Sequence, residues 1–128
     1  MALDAQTVTA LFPQAVPMVG TLGLVVEEVE PQRAVMRLPD QKPYHNHLGG
    51  LHAGAMFTLA ESASGILVLL EYGDRLGELV PLAMEASIRY VAVAMGDVTA
   101  TATTDAVAQD VLAQLAAGTR PEFDVDIV

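Results

Sequence analysis

The feature that most constrains this chain is the stretch from Ala53 to Leu70, which contains no proline, is rich in helix formers such as Ala and Leu, and is apolar on nearly every face. Such a helix has no side suited to water, so other elements must wrap it and it is expected to be largely buried. Glu61 stands in its middle. A buried carboxylate needs a reason, and two are open at this point: it pairs with an arginine or lies at a wet subunit interface, or it is placed there for catalysis.

The flanking segments say what does the wrapping. Before the helix, Leu24 to Glu30 and Arg33 to Leu38 read as strands joined by a Pro31-Gln32 turn, the second alternating Ala34, Met36 and Leu38 against Arg33, Val35 and Arg37. After it, Leu82 to Ala94 alternates as a long half-buried strand, with Leu82, Met84, Ala86, Ile88 and Tyr90 on one face. Gly96-Asp97 then turns the chain into a strand from Val98 to Thr104, Ala106 to Ala117 reads as a helix closed by Gly118, and Glu122 to Val128 reads as a last strand. At the front, Asp4 caps a short helix that fades before Pro13, and Pro17 to Gly23 reads as a loop, so this end looks like a lid or brace. The order suits an α+β domain in which an antiparallel sheet packs one helix on its concave face.

A length of 128 residues suits a single domain over 1–128, and with 52% hydrophobic residues it can bury a core without staples. There is no cysteine, which removes disulfides, a thiolate nucleophile and cysteine-ligated zinc, and leaves oxygen and imidazole groups for any catalysis. Sixteen acidic against six basic residues give a net charge of −10, a field that repels nucleic acid. The N-terminus has no basic region followed by an apolar run, and the most apolar stretch, Gly65 to Leu70, is flanked by Glu61 and Glu71; a cytoplasmic chain with no membrane span is expected.

The loop entering the long helix, Asn46-His47-Leu48-Gly49-Gly50-Leu51-His52-Ala53-Gly54, carries the chemistry. Its glycines let backbone approach a ligand, and the Ala53 and Gly54 amides open the helix, where unpaired N–H groups and the positive dipole end favour an oxyanion. His52 alone reads equally as a helix cap and Asn46 as a turn residue. His45 and His47 match no metal-ligand pattern, and no metal or cofactor is expected.

Asn46, His52 six residues on, the following Ala53-Gly54, and Glu61 nine residues after His52 together resemble the signature of hot-dog thioesterases of the phenylacetate-degradation (PaaI) type. The resemblance continues through Leu82 to Thr104, and the Ala106 to Ala117 helix is similar to that of a divergent subgroup. Two departures are visible: Ala53 stands where many relatives have glycine, and Glu61 where many have aspartate. The resemblance implies a hot-dog fold, an antiparallel sheet wrapped around a long central helix, and hydrolysis of acyl-coenzyme A thioesters. Glu61 would then activate water or attack the carbonyl, the Ala53 amide would hold the oxyanion, His52 would position the carbonyl or loop, and Asn46 would orient the water or thioester. Gly54, Ser64 and Arg89 join Ala53 as substrate-binding candidates, Ser64 through a hydrogen bond to the Glu61 carboxylate or the water, and Arg89 as one of the few cations able to meet the phosphates of coenzyme A. Met56, Met84 and Tyr90 are candidates to shape the acyl pocket. Homodimers, often paired into tetramers, are also implied. Two rivals stand beside this reading: a hydratase or dehydratase acting on acyl thioesters through His52 and Glu61, and a non-catalytic acyl-coenzyme A-binding domain.

Overall fold

The computed structural model describes residues 3–128. Asp4 caps the first helix, α1 (Ala5–Ala15): its Oδ1 accepts from the Thr7 N–H at 2.8 Å, a bond that also holds the Asp4 carboxyl below its ordinary pKa. α1 does not fade before Pro13 but runs through it, because Val8 and Phe12 are buried in the core and hold that face in place. The segment expected as a loop instead forms a short helix, α2 (Pro17–Thr21), with proline at its first position and Val19 buried. Gly20 permits this close packing, since a Cβ there would lie 3.3 Å from the Pro13 carbonyl oxygen.

β1 (Val25–Glu30) and β2 (Arg33–Leu38) form the expected antiparallel hairpin, turning through Gln32 in the left-handed region at φ 69°. A bulge between Val26 and Glu28 inserts Glu27, whose carboxylate accepts from Arg37 Nε at 2.5 Å. The order in the sheet is β1-β2-β3-β4, all neighbours antiparallel, with β3 at Val98–Thr103 and β4 at Asp126–Ile127. Alternation sends Ala34, Met36 and Leu38 of β2 and Ala100 and Ala102 of β3 inward.

Onto that face packs α3 (Ala53–Tyr72), a helix of 20 residues whose Leu59, Ala63, Ile66 and Leu70 interlock with β2 and β3. The small alanines of β3 let it approach the sheet closely. Its most apolar window has a mean hydropathy of 1.6, enough by length and composition to cross a membrane; a third of that window is buried, and it is this buried side that joins the core. Ile66 is fully buried, and Ile66→Ala is expected to cost about 2–5 kcal/mol in denaturant unfolding.

Three expectations change. α3 is buried along one side only, and on its outer face Ala53 and Glu61 are exposed while Phe57 and Ser64 are half-buried. Leu82 to Ala94 is not a strand: no described strand lies beside it to complete a ladder, and its side chains stand out, Leu82 79% and Met84 77% exposed. The last strand shrinks to Asp126–Ile127, extended by mutual backbone hydrogen bonds between Val128 and Thr101. The helix after β3 forms as α4 (Ala108–Ala116), and Gly118 at φ 86° ends it as expected.

Candidate active site at the start of the long helix

The loop before α3 is built around Asn46. Its Oδ1 accepts from the Leu48 N–H (2.9 Å) and the Gly50 N–H (3.2 Å), its Nδ2 donates to the Leu51 carbonyl oxygen (3.3 Å), and its backbone N–H donates to the Gly50 carbonyl oxygen (2.7 Å). Asn46 thus ties both ends of a tight loop together. The two glycines have separate reasons. Gly49 sits at φ 78°, and a Cβ on Gly50 would stand 2.4 Å from the Ala94 carbonyl oxygen, which accepts from the Leu51 N–H at 3.0 Å. The end of the exposed 79–97 segment is therefore pinned to the loop, and Tyr90 adds a second tie by donating its hydroxyl to the Ala53 carbonyl oxygen at 2.9 Å.

His52 is the N-cap of α3, its Nδ1 accepting from the Gly54 N–H at 2.9 Å. That bond fixes the imidazole as an acceptor at Nδ1 and so places any proton of the neutral ring on Nε2. It also occupies one of the two amides expected to face an oxyanion. The other, the Ala53 N–H, has no acceptor among the described residues and lies at the positive end of a long helix. The Glu61 carboxylate makes no ion pair or hydrogen bond among the described residues and is open to solvent. Ser64 donates to the Glu61 carbonyl oxygen at 2.7 Å instead of to its carboxylate. Arg89 is exposed, within the unpaired segment.

Beside the first turn of α3 opens a cleft of about 300 Å³, walled by Met18 and Leu22 on one side, by Pro43, Tyr44 and His45 on another, and by His52, Gly54, Ala55 and Thr58 of α3. Of this set the sequence pattern points to His52 and Gly54; Met18 and Leu22 escape it because Pro17 to Gly23 carries loop chemistry, and Tyr44 because only tertiary packing brings it here. Met56, Met84 and Tyr90, the residues expected to shape a pocket, do not line the cleft. Asp40 orients His45, its Oδ1 2.6 Å from His45 Nε2. Asp40 is held in turn by Asp97, which accepts from the Asp40 N–H at 2.8 Å and from Arg37 Nη1 at 3.0 Å; the amide, then the guanidinium, keep the Asp97 carboxyl below its ordinary pKa. Among the described residues, no group of three or more His, Asp and Glu is placed to hold a metal ion.

An antiparallel sheet packed on one long helix is the hot-dog architecture of the thioesterase superfamily. Within that class the chain belongs to the family described as a domain of unknown function (DUF4442), which matches residues 4–128. Among solved structures it is similar to a Pseudomonas aeruginosa protein of unknown function described as a probable thioesterase, at 26% identity and a TM-score of 0.80, covering 100% of this chain and 86% of that one. A thioesterase family protein from Silicibacter pomeroyi superposes at a TM-score of 0.64 with 23% identity over 79% of this chain and 72% of its own. The PaaI protein of the Escherichia coli phenylacetic acid degradation operon does so at 0.66 with 17% identity over 97% and 80%. These last two share the fold. No curated protein matches the chain.

Proposed function

We propose that this protein hydrolyses acyl-coenzyme A thioesters. The observation that carries the reading is the pairing, on one helix, of an unpartnered N–H at Ala53 with an unpaired carboxylate at Glu61 on the uncovered face. The likeness to a probable thioesterase along the whole chain supports it.

In this mechanism the thioester carbonyl oxygen lies against the Ala53 N–H. Glu61 takes a proton from a water, the resulting hydroxide forms a bond to the carbonyl carbon, and the negative charge gathers on the oxygen facing that N–H. Collapse of the tetrahedral intermediate breaks the carbon–sulfur bond and expels the thiolate, a good leaving group that needs no strong acid. Asn46 and His52 act by holding the loop and helix start in register, consistent with their hydrogen bonds.

In this reading a second copy completes the site. Eight residues separate Ala53 from Glu61, which at 1.5 Å per residue puts their backbones about 12 Å apart along the axis, too far to serve one carbonyl carbon. Two copies packing their α3 outer faces antiparallel about a two-fold axis would bring Glu61 of each beside the Ala53 end of the other. The uncovered face of α3 and the exposed apolar side chains of Leu82, Met84, Val91 and Val93 are surfaces such a pairing would cover.

The test is release of free thiol from short, medium, long and aromatic acyl-coenzyme A esters, with enoyl esters alongside. Thiol release above the uncatalysed rate is expected. Hydration of the enoyl esters without thiol would favour the hydratase reading, and tight binding without turnover the non-catalytic one.

A further inference from the structure

The cleft beside α3 has a property that its list of polar residues conceals. The Tyr44 hydroxyl donates to the Thr21 carbonyl oxygen at 2.5 Å, the Thr58 hydroxyl donates to the Gly54 carbonyl oxygen at 3.0 Å, and the His52 Nδ1 is taken by the Gly54 N–H. With those groups occupied inside the protein and His45 Nε2 bonded to Asp40, what the cleft offers a ligand is chiefly the apolar surface of Met18, Leu22, Pro43, Ala55 and the carbon atoms of Tyr44 and Thr58, beside the remaining nitrogens of His45 and His52. Leu22 and Ala55, core residues only 7% and 9% exposed, give it a buried apolar lining. Its outer wall is Met18, 54% exposed on a five-residue helix that the Tyr44 bond and a second bond, from Gln41 Nε2 to the Leu22 carbonyl oxygen at 3.2 Å, hold against the rest of the molecule. Its volume lies at the lower limit of the range of about 300–1,000 Å³ usual for small-molecule sites.

We infer that this cleft receives the acyl group of the substrate, that it admits short to medium chains, and that Met18 sets the length accepted. The inference rests on the thioester reading: a carbonyl held at the Ala53 amide places its acyl substituent next to Gly54, where the cleft begins. The small volume, about 300 Å³, limits how far the chain can run, and the flexible thioether of Met18 borders it where the cleft meets solvent. Long fatty acyl chains would overrun the cleft.

The experiment measures kcat/KM across a ladder of straight-chain acyl-coenzyme A esters, from acetyl to palmitoyl, for the wild-type protein, Met18→Ala, Met18→Trp and Thr58→Leu. Met18 is exposed, so its variants are expected to fold; Thr58→Leu narrows the cleft independently from the α3 side. The wild type should peak at short to medium chains. Met18→Trp and Thr58→Leu should lose more on long esters than on the acetyl ester, about 10- to 200-fold for each methylene that no longer fits, while Met18→Ala moves the optimum to longer chains. An optimum that stays in place in all three variants, or a wild-type optimum at palmitoyl, overturns the inference while leaving thioester hydrolysis standing. If the wild type releases no thiol from any ester, the functional proposal fails by itself. The acyl site is then read from the binding of non-hydrolysable thioether analogues of the same ladder: affinities that shift with residue 18 uphold it, and affinities indifferent to residue 18 overturn it.

Discussion

Glu61→Gln is expected to abolish thiol release while leaving the unfolding transition nearly unchanged. The substitution keeps the side-chain length and helix propensity and removes the only property the mechanism uses, a carboxylate able to take a proton from water. Because Glu61 is exposed on α3 and has no ion pair or hydrogen bond among the described residues, its replacement breaks no such bond within the chain. A loss of about 10² to 10⁴ in kcat is the range expected for removal of a general base. Turnover retained in Glu61→Gln would take this residue out of the mechanism.

Ala53→Pro is the second large effect, and the structure makes it a cleaner test than the sequence suggests. Ala53 is the first residue of α3 after the His52 cap, the one helical position where proline is favoured because its missing N–H has no helical acceptor. His52 sits at φ −64° and ψ 140°, the backbone region that a residue before proline prefers. The variant should therefore fold, keep the bond from the Gly54 N–H to His52 Nδ1, and lack a single donor. If that donor holds the oxyanion, the rate falls about 10² to 10³. Ala53→Gly keeps the N–H and should retain most of the activity. A folded Ala53→Pro protein working at full rate would put the oxyanion site elsewhere.

Most of the sheet and the central helix were legible because the period-2 pattern of β2, the strand-forming composition of β1 and β3 and the helix formers of α3 agree with how those residues pack. The failures have physical causes. Pro13 and the Pro17 to Gly23 stretch carry breaker chemistry, yet burial of Phe12 and Val19 outweighs it, and with α2 the sequence reading lost the wall of the cleft. Leu82 to Ala94 has strand periodicity, but periodicity states which face is apolar and not whether a neighbouring strand exists to accept its hydrogen bonds. The same limit applies to Glu61. An all-round apolar helix was read as buried, whereas α3 buries one side within a single chain and leaves the side with Glu61 open. At the candidate site, the cap at His52 and the loop role of Asn46 follow from local rules of spacing, so those readings were within reach. Met18 and Tyr44 reach the cleft through tertiary packing that no local pattern records.

The central claim is that Glu61 of one copy and the Ala53 amide of another act on the same carbonyl. Its most direct test is thiol release from mixed assemblies of Glu61→Gln and Ala53→Pro protein, each crippled alone. A mixed dimer would hold one doubly damaged site and one whole site, so equal mixing followed by free exchange should restore about a quarter of wild-type activity, the statistical share of intact sites. Mixed dimers shown to form, for instance with differently tagged copies, and still inactive would confine each site to one chain and contradict the account.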